Sequence, residues 1–423
     1  MNQEVSSKTS SERKVAMILL FFVGVIVFIG AVSVAFESGN LMASEEIGRG
    51  KAIFYVTQEY ISIAMFLTLA ILLFSGYPVA FILGGLSMLF GILGYYLDMF
   101  SLIEFFNFVP RIWGMAAENL VLVAVPAFVY MGVMLERSGI ANDLLYCVQV
   151  LLRRVPGALA LAVTVMGTIL AAMTGIIGAS VTMMTALALP TMMRQGYSHA
   201  LATGVIAASG TLGILIPPSI MLIIMADLMA ISVGNVFMAA VVPGLTLAAF
   251  YLIYVATLAS IKPSLAPPLP ANLLNIPKGE MVPLVLRSFL PPVFLITLIK
   301  GSILFGFATP SEAGAVGAFG ATLLAAANGR LSKNTLVSVC HTAARTVSMI
   351  FFIVISATCF AYVYRSLGGD DVVEHLIIEK AGLGPWGMLI LVMVIVFFLG
   401  FFLDFLEITL IVLPVFTPLI IQM

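Results

Sequence analysis

The sequence predicts an all-α polytopic membrane protein, built from inverted repeats with re-entrant hairpins and broken helices. Three observations predict it. Hydrophobic residues make up 62% of the 423-residue chain and charged residues only 9%, where a soluble domain carries about 25% charged residues. The uncharged run Val155–Met193 is far longer than one membrane span, which needs about 20 residues. Two apolar stretches are also interrupted in mid-course, at Gly175–Thr182 and at Ser209–Ser219. A lipid-facing helix cannot break in this way, because the freed N–H and C=O groups would find no partner. Paired interruptions in a membrane protein point to a transporter's binding site.

Arg13 and Lys14 precede Val15–Phe36, read as a retained first span, and the positive-inside rule then puts the N-terminus in the cytoplasm. Glu37–Glu59 is expected as a polar loop on the far side, so 1–59 form an extra N-terminal transmembrane helix and loop. The first repeat, 60–261, opens with spans Tyr60–Phe74 and Val79–Leu97, joined by the turn Ser75–Pro78. Asp98–Glu118 mixes charges with Phe105, Phe106, Phe108 and Trp113 and is expected to lie in the membrane interface. Asn119–Leu135 crosses inward, and Ile140–Leu152 is an amphipathic arm that ends on Arg153 and Arg154. Residues 155–193 then dip in and return as a hairpin, which leaves Arg154 and Arg194 both cytoplasmic. Residues 198–232 cross outward as a helix broken at Gly210–Pro218, and Val236–Ser260 returns. The proline-rich, basic stretch 262–287 reads as a cytoplasmic linker, and 288–423 as a second, incomplete repeat.

The second repeat echoes the first at an offset of about 230 residues. Gly76–Phe81 resembles Ala308–Ala313, Ser138–Ile140 falls opposite Leu367–Gly369, and the tip Gly175–Thr182 falls near Gly400–Glu407. Following the spans onward from Arg287 turns the second copy upside down. Its arm, with Asp370, Asp371 and Glu374, then faces outside, whereas the equivalent arm of the first copy ends in Arg153 and Arg154 inside. The second copy stops at Met423, directly after its hairpin. By the repeat logic, roughly 50–60 further residues are expected as the counterpart of the broken helix.

Several function classes fall away. A net charge of −1 gives no reason to expect nucleic acid. There is no H-E-x-x-H, no phosphate-binding G-x-x-x-x-G-K-[ST] and no dinucleotide fingerprint after a strand, so neither ATP nor another cofactor is expected. Cys147, Cys340 and Cys359 lack C-x-x-C spacing, and His199, His341 and His375 lie far apart; they do not form a metal cluster pattern.

What remains is an ion and substrate site at the interruptions. Unwound carbonyls and hydroxyls are hard oxygen ligands for a cation, and half-helix N-termini attract a carboxylate. The candidates are Gly178, Ala179, Ser180 and Thr182 at the first tip, and Ser209, Gly210, Thr211, Gly213, Pro217, Pro218 and Ser219 along the broken helix. Glycine and serine at such places equally suit close helix packing. In the second repeat the candidates are Asp404 and Glu407. An acidic residue at the bilayer centre costs about 2.5–3.5 kcal/mol, so it belongs in an interior or a cavity. Asp404 reads as a sodium or proton site, as an N-cap of the returning half-helix, or as both. Thr309–Glu312 reads as a helix start with a structural role, and Asp227 as interfacial.

The segment Gly178–Gly244, with Ile216-Pro217-Pro218-Ser219 and Val233–Phe237 followed by Pro243-Gly244, resembles the large membrane subunit of TRAP (tripartite ATP-independent periplasmic) transporters, the DctM-like family. Gly76–Gly85, Val125–Ala141, Phe307–Ala318 and Phe401–Ile408 are similar to that family too. The resemblance spans about Tyr60 to Met423. It implies an ion-transporter-like elevator fold, with a scaffold and a mobile domain in the bacterial inner membrane. It implies sodium-driven uptake of a small organic acid, with a small four-helix membrane subunit and a periplasmic binding protein as partners. Sodium, a coupling ion rather than a cofactor, would be held around Ser180, Gly210 and Asp404. The tip Gly178–Thr182 departs from the serine-rich, acidic tip of many members, which shifts the expected ligands there from side chains to backbone. Two other readings remain at this point: a membrane-embedded enzyme with Asp404 and Glu407 as its acid–base pair, and a passive channel.

Overall fold

The computed structural model describes residues 46–174, 177–267, 278–374, 382, 384–401 and 403–422. The span expected at Val15–Phe36 and much of the proline-rich linker lie outside these residues. All regular elements among the described residues are helical. In chain order they are α1 (Glu46–Leu73), α2 (Val79–Tyr96), a 3-10 turn (Leu102–Asn107), α3 (Phe108–Ala116), α4 (Ala124–Arg137) and α5 (Ile140–Leu151). Next come α6 (Ala158–Thr174), α7 (Ile177–Arg194), α8 (His199–Leu215), α9 (Ile220–Leu228) and α10 (Val233–Ile261). The second half contains α11 (Lys278–Leu284), a π turn (Val285–Phe289), α12 (Leu290–Leu304), α13 (Pro310–Ala327), α14 (Lys333–Ser366), α15 (Gly369–Glu374), α16 (Pro385–Leu399) and α17 (Phe405–Gln422). Among the described residues Val79–Tyr96, Val233–Ile261, Met281–Leu304 and Lys333–Ser366 are long and apolar enough to cross a membrane, and the bent pair α8–α9 adds a fifth candidate.

One boundary differs from the sequence expectation. The polar stretch before Tyr60 is expected as loop, yet α1 begins at Glu46. Ala52, Gln58 and Glu59 are good helix formers, so the helix runs on past the apolar segment that hydropathy marks.

The chain divides into two compact units, 116–352 and 1–115 with 353–423. Within the first, α13 packs on α4 through small residues. Ala313, Gly317, Ala321 and Ala325 recur every fourth position and are all buried, which brings helix backbones close. A Cβ on Gly314 would lie 3.1 Å from Ala127 Cβ, and one on Gly317 would lie 2.6 Å from Met131 Sδ. Helix α13 starts with a reciprocal cap: Glu312 N–H donates to Thr309 Oγ1 at 3.3 Å, and Thr309 N–H donates to Glu312 Oε2 at 2.8 Å. The structural role expected for this pair is the one observed.

The other unit is organised around Tyr362 of α14. Asn107 Nδ2 donates to its hydroxyl at 2.9 Å, and the Arg111 guanidinium lies 4.2 Å from its ring centroid. Phe108 meets the same ring edge-on at 5.8 Å. The aromatics of Asp98–Glu118 thus split between packing and surface, with Phe106 and Trp113 left 75% and 60% exposed. The α4–α5 and α14–α15 corners, which the repeat places opposite each other, turn on Gly139 at φ 72° and Gly368 at φ 78°. Only glycine adopts this left-handed conformation without a Cβ penalty.

Candidate functional site

At the first expected interruption, α6 is described to Thr174 and α7 from Ile177; residues 175–176 lie outside the described residues. Helix α7 is already wound at Ile177, so Gly178, Ala179, Ser180 and Thr182 sit in its first turns rather than in an unwound tip. Thr182 Oγ1 donates back to the Gly178 carbonyl at 2.7 Å. Ser180 is buried, while Gly178 and Thr182 are exposed.

The second interruption is shorter than expected. Ser209, Gly210, Thr211 and Gly213 all remain inside α8; the break is confined to Ile216–Ser219, where α8 and α9 meet at a 43° bend. The glycines serve packing. A Cβ on Gly210 would lie 2.3 Å from Val181 Cγ2, and one on Gly167 of α6 would lie 2.6 Å from Ser209 Cβ. Close approach of α6 and α7 to α8 therefore outweighs the helix cost of glycine, about 1 kcal/mol. The hydroxyls are engaged locally: Ser209 Oγ donates to Thr164 Oγ1 at 3.4 Å, and Thr211 Oγ1 to the Ala208 carbonyl at 2.8 Å.

The break itself follows from Pro217 and Pro218. Neither has an N–H, so the carbonyls of Gly213 and Ile214, four residues earlier, lose their helix donors. Ser219 Oγ takes over one of them, donating to the Ile214 carbonyl at 2.8 Å. Ile216, Pro217, Pro218 and Ser219 are all buried, as a helix break in a membrane protein must be. The far end is pinned as well: Asn119 Nδ2 donates to Asp227 Oδ2 at 2.7 Å. Sequence reasoning placed Asp227 at an interface and missed Asn119, because the two stand 108 positions apart.

In the other unit, Asp404 precedes α17 and Glu407 lies in its first turn. Phe405 N–H donates to Asp404 Oδ1 at 2.8 Å, and Asp404 N–H donates to Glu407 Oε2 at 3.3 Å. The Glu407 bond is one half of a capping box, whereas Asp404 accepts from the first helical N–H rather than from the second or third. Asp404 is exposed and Glu407 half-buried. Asp370, at the start of α15, is a different case. Burial pushes its carboxyl above the ordinary range and the Arg365 guanidinium opposes that, while Asp371 adds to the rise.

A groove of about 740 Å³ runs beside α8, between Leu201, Gly204 and Val205 on that helix and Tyr251 and Tyr254 on α10. Of the candidate residues only Ser209 reaches it, and its lining is overwhelmingly apolar. A cation needs several oxygens at short range, so the groove is not an ion site.

The family described as tripartite ATP-independent periplasmic transporter, DctM component, matches residues 66–423. The chain belongs to this family. It is similar to the C4-dicarboxylate TRAP transporter large permease protein DctM of Pseudomonas aeruginosa, 30% identical over 310 residues, covering 73% of this chain and 70% of that protein. It is also similar to the 2,3-diketo-L-gulonate TRAP transporter large permease protein YiaN of Escherichia coli, 28% identical over 353 residues, with 82% and 78% covered. A third relative is the ectoine TRAP transporter large permease protein TeaC of Halomonas elongata, 28% identical over 303 residues, with 71% and 68% covered. A DctM-family chain is a transporter permease and not an enzyme, which removes the acid–base reading of Asp404 and Glu407.

Proposed function

We propose that this DctM-family permease imports a small organic acid by sodium symport through an elevator movement. Substrate would come from a periplasmic binding protein, and a small four-helix membrane subunit would complete the assembly. The chain would lie in the bacterial inner membrane with its N-terminus cytoplasmic. The observation that supports this reading best is the buried break at Ile216–Ser219, where Ile216 packs against Gly244 of α10. There two successive prolines free the Gly213 and Ile214 carbonyls, and the Ser219 hydroxyl occupies only the second. Carbonyl oxygens at an unwound helix are sodium ligands of the type used by secondary transporters. Ser180, Gly210 and Asp404 remain the proposed sodium contacts. Gly210 would act through its carbonyl, because its α-carbon faces Val181. Relatives named for C4-dicarboxylates and for 2,3-diketo-L-gulonate support an organic acid, and the ectoine relative widens the class of cargo.

The test is uptake of radiolabelled succinate and gluconate into proteoliposomes that contain the complete complex, with the binding protein added outside. Uptake is expected to require an inward sodium gradient, to collapse with a sodium ionophore and to proceed without ATP. An equal rate with potassium replacing sodium would defeat sodium coupling. Non-saturating flux without the binding protein would favour the channel.

A further inference from the structure

Helix α17 keeps its course through two internal prolines, Pro414 and Pro418. Pro418 has no N–H, so the carbonyl four residues before it, that of Pro414, has no helix donor. Arg365 supplies one: its Nη2 donates to the Pro414 carbonyl at 2.6 Å. The same guanidinium meets Asp370 of α15, with Nε 3.4 Å from Oδ2. The planar guanidinium meets the two acceptors through different nitrogens held in a fixed geometry, which the single ammonium of a lysine does not offer.

The corner from which Arg365 reaches is held by other means. Ser62 Oγ of α1 donates to the Leu367 carbonyl at 2.9 Å, and the Tyr364 hydroxyl to the Gly369 carbonyl at 3.1 Å. Gly369 lies so near Tyr364 that a Cβ there would fall 2.3 Å from its ring. Arg365 thus joins a fixed corner to a helix whose own hydrogen-bond ladder has a gap at the point of contact.

We propose that Arg365 is the positioning residue of the second hairpin. It seats α17 on the α14–α15 corner by serving the carbonyl that Pro418 leaves without a donor, and so sets the place of the Asp404–Glu407 end. The transport reading supplies only the purpose of that placement; the anchor stands without it.

Amide hydrogen exchange of the full chain in lipid nanodiscs tests the proposal. Arg365→Met keeps the apolar stem and removes the donors. It is expected to speed exchange across residues 415–422 about tenfold, the scale of a charge-assisted bond. Pro418→Ala restores an N–H four residues after Pro414. In that background, adding Arg365→Met is expected to change exchange by less than about threefold, because the helix now serves its own carbonyl. An equal increase in both backgrounds, or none from Arg365→Met alone, overturns the proposal. If Arg365→Met fails to accumulate in membranes, recovery of the Arg365→Met/Pro418→Ala protein is the expected result, and its absence overturns the proposal too.

A second readout separates this inference from the function it serves. Sodium, compared with potassium, is expected to raise the melting temperature of the wild type, less so that of Arg365→Met, and again that of the double variant. A wild type indifferent to sodium would remove the ion site, while the exchange result would still decide the anchor.

Discussion

Two places in the molecule meet the same chemical problem and solve it differently. At the α8–α9 break, the helix ends before Pro217-Pro218, and Ser219 from just beyond the prolines serves the Ile214 carbonyl left without a helix donor. In α17, Pro418 takes the donor from the Pro414 carbonyl, and Arg365 replaces it from 49 positions away. The first solution bends the chain by 43°; the second leaves α17 helical from Phe405 to Gln422. Proline is among the usual causes of a sharp helix kink, as is a side chain that enters the ladder, and the first break has both. Where a fixed neighbour serves the freed carbonyl instead, the helix runs on but becomes tied to that neighbour.

The largest effect that sharpens the contrast comes from the packing around the first break. Gly210→Ala puts a methyl 2.3 Å from Val181 Cγ2, and Val181 is β-branched and cannot swing away. A loss of about 2–3 kcal/mol is expected, at the upper end of overpacking costs, seen as a lower melting temperature in detergent. Ser219→Ala comes next. It leaves the Ile214 carbonyl buried without its donor, for an expected loss of about 1–2 kcal/mol. Here Pro218→Ala should not suppress the effect. The chain has already left the helix at Ile216, which is extended at φ −103° and ψ 118°, so an N–H restored at position 218 is out of helical register with the Ile214 carbonyl. Suppression at both prolines would mean that the bend does not depend on local service of the carbonyl, and the comparison would fail.

The two solutions also differ in how well the sequence reveals them. Pro217-Pro218-Ser219 announces the first directly, since proline removes a donor and serine is the residue that caps. The extent of the interruption was not legible. Ser209–Gly213 looks like a break because glycine and serine are poor helix formers, but the same residues allow α6 and α7 to approach α8, and composition cannot separate these uses. Asp404 was legible as the residue before a returning helix, but its bond to Glu407, which stands three positions on, was not read from the sequence. Arg365, Asn119 and Asp227 were not, because each acts on a partner brought near only by the fold. Family resemblance was legible from about Tyr60 and the family match runs over 66–423, but it assigns no partner to Arg365.

The smallest effect tests the first tip against the break. Gly178 lies in the right-handed turn that opens α7, and a Cβ there would meet nothing within 4 Å. Gly178→Ala should therefore raise stability by about 0.5–1 kcal/mol, since alanine gives up less chain entropy on folding. The gain should also survive removal of sodium, because an added methyl that touches no other atom leaves the Gly178 carbonyl where Thr182 already engages it. A sodium-dependent melting shift lost in Gly178→Ala would instead mean that the coupling ion approaches the tip from the α-carbon side. In that case the glycine at the tip is kept for the ion, while the glycine at 210 is kept for Val181.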